Sequence, residues 1–260
     1  MKRITLLGMI LGAMVMFAAS CGGSSGSSSD NSGGHAKGNA PTTQESAKQA
    51  SSYSPSINPS DFTTTIDNKY FPLKPGTTFV SRRKTKNTTE RDVMTVTHST
   101  KQIMGVKCVV VYDRVLAHAK LTEKTFDWYA QDKKGNVWYF GENSKEYKNG
   151  KVSTGSSWEA GKDGAEPGVI MQAHPKVGQT YRQEYLKGSA EDMAKVLDLN
   201  GSVTVPYRSF DHVLVTKEWS PLEPGVVAHK YYGAGVGDAK EVAVKGPLET
   251  LELVDVRSNG

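Results

Sequence analysis

Cysteine is nearly absent from this chain: of 260 residues only Cys21 and Cys108 carry a thiol. With so few, a disulfide framework is excluded, and so is a cysteine-built metal cage. An excess of one charge is also missing. There are 32 basic and 27 acidic residues, and only the run "SRRKTK" at 81–86 concentrates cations. A nucleic-acid binder needs a clustered basic face, so no nucleic acid is expected, and the run reads as a solvated hairpin end. No HExxH, CxxC or Walker pattern occurs. The histidines His98, His118, His174, His212 and His229 are scattered. Asp113 with His118, and Asp211 beside His212, come nearest to acid–base pairs. Strand neighbours point to opposite faces, so Asp211 and His212 cannot cooperate. Glu159, Asp163 and Glu166 lack the spacing of a calcium loop and read as solvated. No catalytic residue, metal ligand or cofactor site is therefore assigned. Only one long apolar run exists, at the start, and it falls short of the about 20 residues that span a bilayer.

The flanks of that run define its role. "MKRITLLGMILGAMVMFAASC" has a basic start, an apolar stretch and small residues before Cys21, the pattern of a secretory signal. "AASC" resembles the lipobox of bacterial lipoproteins, with Ala18 where leucine is usual. The resemblance implies a signal peptide over 1–20 and a Cys21 that carries acyl chains such as palmitate. Each buried CH2 of such a chain contributes about 0.8 kcal/mol, so several chains hold firmly. The expected location is the extracytoplasmic face of a bacterial cell membrane, with the membrane as partner through the N-terminal lipid. Residues 21–61 are rich in Gly, Ser, Asn and Thr and cannot bury enough apolar surface to offset ordering. As a flexible tether they span roughly 35–40 Å. Cys108, in "GVKCVVVYD", reads as a small apolar strand residue.

From 62 to 257 the pattern is that of a single β domain. "DVMTVTHS" and "GVKCVVVYDRVLAH" alternate with period two, the mark of half-buried strands. "FDWYAQDKKGNVWYFGENSKEY" predicts a hairpin turning at "DKKGN", and "GSVTVPYRSFDHVLVTKEW" a second one turning at "PYRS". One short helix is expected at 188–197, where Ser189 and Asp192 mimic a capping box and Ala190, Met193, Ala194 and Leu197 share a face. Two stretches, about 70–155 and 172–256, share one order of features. Pro72…Gly76-Thr77-Thr78-Phe79 matches Pro175…Gly178-Gln179-Thr180-Tyr181, and each leads into strands, an aromatic pair and a glycine-bearing turn. This suggests a duplicated β unit. In that alignment "GAGVGDA" occupies the place of "AQDKKGN". The strand-like "AKEVAV" comes after it, so its glycines read as a turn rather than a nucleotide loop. The fold class is mainly β: a strongly curved antiparallel sheet, either a half-barrel or two facing sheets. "FPLKPGTTFV" and "EPGVVAHKYYGAGVG" resemble segments of an uncharacterised bacterial lipoprotein family. Its bodies are similar to the curved half-barrel of LolA-like lipoprotein carriers. The resemblance implies a concave apolar face able to hold something greasy.

The aromatic residues are the candidates for such a face: Trp128, Tyr129, Trp138, Tyr139, Trp219 and Tyr231. Aromatics line ligand cavities, although they are also ordinary core residues. The leading expectation is a membrane-tethered, non-catalytic protein that binds or carries an apolar or amphipathic ligand. The alternatives are an extracytoplasmic hydrolase with an Asp/Glu–His pair, and a structural or protein-interaction module of the cell envelope.

Overall fold

The computed structural model describes residues 53–258. The expected signal peptide, Cys21 and the expected tether up to residue 52 lie outside the described residues. A 3-10 turn, Pro59–Asp61, leads into β1 (Phe62–Thr63). Long strands come next: β2 (Thr77–Thr85), β3 (Thr89–Ile103), β4 (Val106–Ala117), β5 (Lys120–Asp132) and β6 (Val137–Lys148). Then there are short pieces: β7 (Lys151–Ser153), β8 (Trp158–Glu159), β9 (Glu166–Met171), β10 (Thr180–Arg182) and β11 (Glu184–Tyr185). The second long run is β12 (Met193–Thr204), β13 (Ser209–Trp219), β14 (Val227–Gly233), β15 (Gly237–Lys245) and β16 (Glu249–Ser258).

Every pairing is antiparallel and nearly every neighbour in the sheet is a neighbour in sequence, from β2 through β6 to β9 and from β12 through β16. Two contacts bend this meander into a nearly closed barrel. β16 pairs back onto β2 along its length, from Glu249↔Thr85 to Ser258↔Thr77. At the other seam β10 pairs β12 while β11 pairs β9, so one segment switches partner at Gln183. Closure removes the unpaired edges that an open half-barrel would expose. The strongly curved antiparallel sheet expected from the sequence is observed, bent far enough to make a nearly closed barrel. Gly168 on β9 makes the seam possible, because any Cβ there would collide with the Gln183 carbonyl.

The two halves of the ring repeat local details. Gly76 N donates to Val96 O at 2.9 Å, and Gly178 N donates to Val196 O at 2.9 Å. The hairpin turns at Asp132–Asn136 and at Gly233–Gly237 lie at the same end. Gly233 pairs with Gly237 across the second turn, and Gly235 and Gly237 have φ of +82° and +83°. The glycines of "GAGVGDA" therefore serve a hairpin. Gly233 also has Phe210 against its bare Cα, where a Cβ would come 2.7 Å from the ring.

The short helix does not form. Leu186 and Ala190 make a β-bridge instead, with Leu186 N donating to Ala190 O, and Met193 opens β12. Ala194 and Val196 are both buried, which fits alternation as well as a helical stripe. Pairing with β10 and β13 then decides, since an isolated short helix is marginal. Arg83, expected on a solvated hairpin end, is 3% exposed and paired with Glu249 at 3.3 Å.

Candidate functional site

The inward face of the barrel is read off the cross-strand register. Val109, Val111, Asp113 and Val115 of β4 share one face, opposite Tyr129, Asp127, Thr125 and Glu123 of β5. Apolar residues occupy the end of this face nearest the turns that carry Gly135 and Gly235. Carboxyls appear deeper: Asp92, Asp113, Glu123, Asp127 and Glu142 are all buried in the first half. The second half adds Glu184, Asp192 and Glu218, while Arg83 and Lys230 are the buried cations among the described residues. The lumen is an acidic interior, which period-two patterning alone does not reveal.

One end of the ring is plugged by residues 66–73. Ile66, Tyr70, Phe71 and Leu73 are buried, and Leu73 N donates to Ile66 O at 2.9 Å. Asn68 Nδ2 donates to Gly135 O at 2.9 Å, and Gly235 N donates to Lys69 O at 2.9 Å. The plug is thus held by the turns of both halves. Gln131 Oε1 accepts from the backbone N–H of Asp67 and Asn68, and Gln131 Nε2 donates to Asp67 Oδ1 at 2.6 Å.

Beneath the plug lies a cavity of about 40 Å³. That is a few times the about 10–15 Å³ one water needs. Its walls are Phe71, Leu73, Phe79, Met94, Val236 and Leu251; Ser81, Asp92, Asp113 and Asp238 supply its polar side. Asp92 and Asp113 form a close buried pair, and two carboxylates so placed repel each other unless one holds a proton. Burial pushes both well up from the usual carboxylate range, and the neighbouring Asp113 charge raises Asp92 further. Asp238 is raised to about 8 by burial, against the opposing pull of Lys230.

A second network uses Tyr139. Its Oη lies 2.7 Å from Asp127 Oδ1 and 3.1 Å from Glu142 Oε2. One hydroxyl hydrogen serves one carboxyl, so the other must be protonated to donate back. Burial accordingly raises Asp127 to about 8 and Glu123 to about 9. Across the barrel Glu218 accepts from Tyr232 Oη at 2.7 Å and from Thr216 Oγ1 at 2.8 Å, and Lys230 Nζ pairs with it at 3.2 Å.

The six aromatic candidates do not form one surface. Tyr129 and Tyr139 face the lumen and stack at 4.8 Å between centroids, with Trp158 edge-on to Tyr139 at 5.3 Å. Trp128 and Trp138, their sequence neighbours, belong to the opposite face by alternation. Trp128 is covered by Lys101, whose Nζ stands 3.3 Å from the ring centroid, and Trp138 Nε1 donates to Asp132 Oδ2. Trp219 and Tyr231 are half-buried and likewise alternate away from the inward Glu218, Lys230 and Tyr232. Of the carboxyls that sequence reasoning missed, Asp92 shares the inward face of its strand with Met94 and Val96, an acidic residue inside apolar alternation. Glu123 and Asp127, in contrast, share theirs with the polar Thr125. Glu159, expected as solvated, pairs with Lys101 at 2.7 Å and Lys162 at 2.9 Å. Among the described residues the histidines lie exposed except half-buried His229. Cys108 is fully buried and its thiol is pushed up to about 12 by burial, which makes it inert.

Among the described residues, no group of three or more His, Cys, Asp or Glu could hold a metal ion. No helix among them is long and apolar enough to cross a membrane. No protein-family model matches the chain, and no curated protein matches it. Among solved structures, a "putative lipoprotein from Parabacteroides distasonis ATCC 8503" is similar at 12% identity and a TM-score of 0.40. The match covers 73% of this chain and 99% of that one.

Proposed function

We propose that this chain is an exported, lipid-anchored, non-catalytic binding protein of the bacterial cell envelope, holding an amphipathic ligand beneath the plug. The observation that carries this reading is the cavity between residues 66–73 and the lumen, with Phe71, Leu73, Phe79 and Met94 on one side and Asp92 and Asp113 on the other. Concave, largely apolar sites with a few convergent polar groups are where small molecules bind. At about 40 Å³ the cavity admits only one end of such a ligand. The plug is a loop outside the strand ladder, and admitting the remainder requires it to lift as a lid does.

The leader supports the location, with Cys21 as the acylated residue and the stretch after it as the tether. Two measurements test the proposal. Fractionation of cells producing the wild-type chain should place it in the membrane, and Cys21→Ser should release it to the soluble fraction. An unchanged distribution would end the lipid-anchor reading. Native mass spectrometry of the Cys21→Ser chain after mild purification should show a co-purified mass. A bare chain mass in repeated preparations counts against the carrier reading.

A further inference from the structure

We infer that the polar end of the ligand is a cation, an alkylammonium group seated on the Asp92–Asp113 carboxyl pair. This rests on the reading of the cavity as a binding site and names what that site selects. Asp92 and Asp113 are 2% and 5% exposed, and both line the cavity. Asp92 Oδ2 and Asp113 Oδ1 receive no hydrogen bond from a protein donor. Asp238 Oδ1, on the same cavity, is likewise without a donor. Arg83 Nε and Arg114 Nε are also without an acceptor, but neither residue lines the cavity. On the cavity wall the unmatched carboxyl oxygens are therefore acceptors that a ligand's donors can meet.

Charge points the same way. The titratable groups facing the pair are Arg83 from β2, Arg114 from its own strand β4, and Glu123 from β5. Arg83 is already paired with Glu249, and Asp238 on β15 adds a further carboxyl to the cavity. An anionic head would enter a field dominated by carboxyls, and a neutral hydroxyl would supply one donor where several acceptors wait. An ammonium supplies three donors and a charge. Size agrees, since a cavity of about 40 Å³ fits a small head while the apolar walls receive the first methylenes of a tail.

Seating a cation there replaces the proton held by the pair, so binding is coupled to proton release. The experiment uses the Cys21→Ser chain and three eight-carbon probes that differ only at the head: octylammonium, 1-octanol and octanoate. Isothermal titration calorimetry at pH 7, in two buffers of different ionisation enthalpy, reads affinity and protons released. Octylammonium should bind at least ten-fold more tightly than either other probe, with proton release toward one per site. Asp92→Asn should abolish that preference and the proton release. Should that variant fail to fold, the wild-type comparison of the three heads decides alone. Equal binding of all three probes, or a preference for octanol or octanoate, overturns the cation assignment and leaves the cavity reading standing. No binding of any probe overturns both.

Discussion

Lys230 is 1% exposed, and its Nζ lies 3.2 Å from Glu218 and 3.6 Å from Glu241. Burial alone would lower its pKa, but these two carboxylates overcome that and raise it. Replacing one partner of a buried ion pair strands the other charge, which costs about 3–5 kcal/mol. Lys230→Met should therefore lower the unfolding free energy by about that amount in chemical denaturation. Adding Glu218→Gln removes the stranded charge and should recover much of the loss. A Lys230→Met chain as stable as wild type would mean that Glu218 is neutral or hydrated in the fold. Tyr139 poses the same accounting with opposite sign. Its network is satisfied only when one of Asp127 and Glu142 is protonated, so this half of the lumen is held by protons rather than by cations.

Among the elements, the seam at β9, β10 and β11 is the weakest link of the ring. β10 and β11 have three and two residues, against fifteen in β3. Tyr53 straps this seam from outside: its hydroxyl donates to Pro167 O at 2.9 Å, and its ring meets Tyr185 edge-on at 5.8 Å. Gly168→Ala inserts a methyl where the Gln183 backbone lies, and such overpacking costs about 1–3 kcal/mol. Amide hydrogen exchange should show the loss of protection concentrated at 166–171 and 180–195. Protection lost evenly around the ring would mean that the seam is not a separate unit. The same elements show what was legible in the sequence. Alternation in β4, β12 and β13 announces strands, and "DKKGN", "PYRS" and "GAGVGDA" announce their turns, because those signals are local. The seam was not legible, since Thr180–Tyr185 has too few residues to show a period. The helix expected over 188–197 shared its small apolar residues with a strand pattern, and only tertiary pairing separates the two. The aromatic site was drawn from sequence neighbours, yet Trp128–Tyr129 and Trp138–Tyr139 divide between two faces. Alternation already implied that division.

At the scale of the whole molecule, the lumen sets the dependence of stability on pH. Burial raises Asp92, Asp113, Glu142 and Glu184, and brings Glu123 to about 9 and Asp127 to about 8. In the unfolded chain these groups titrate near about 4. Between about pH 4 and pH 9 the folded protein therefore holds protons that the unfolded chain has released. Stability falls as pH rises wherever the folded state binds more protons, by about 1.4 kcal/mol per pH unit for each such proton. The contribution is complete below about pH 4 and is lost as pH climbs through the folded-state values. Glu159 and Glu252, lowered by their lysine and arginine partners against the effect of burial, work in the opposite direction. They are partly exposed and screened, so they weaken the trend below about pH 5 without reversing it above. Melting temperature measured from pH 5 to pH 9 should fall steadily, where many proteins are near their maximum. Glu123→Gln should flatten that fall by the share of one proton, because its amide keeps the shape without the titration. A melting temperature that rises over this range would show that the interior carboxyls are ionised and hydrated. The proton held by the Asp92–Asp113 pair would then not exist for a ligand to displace.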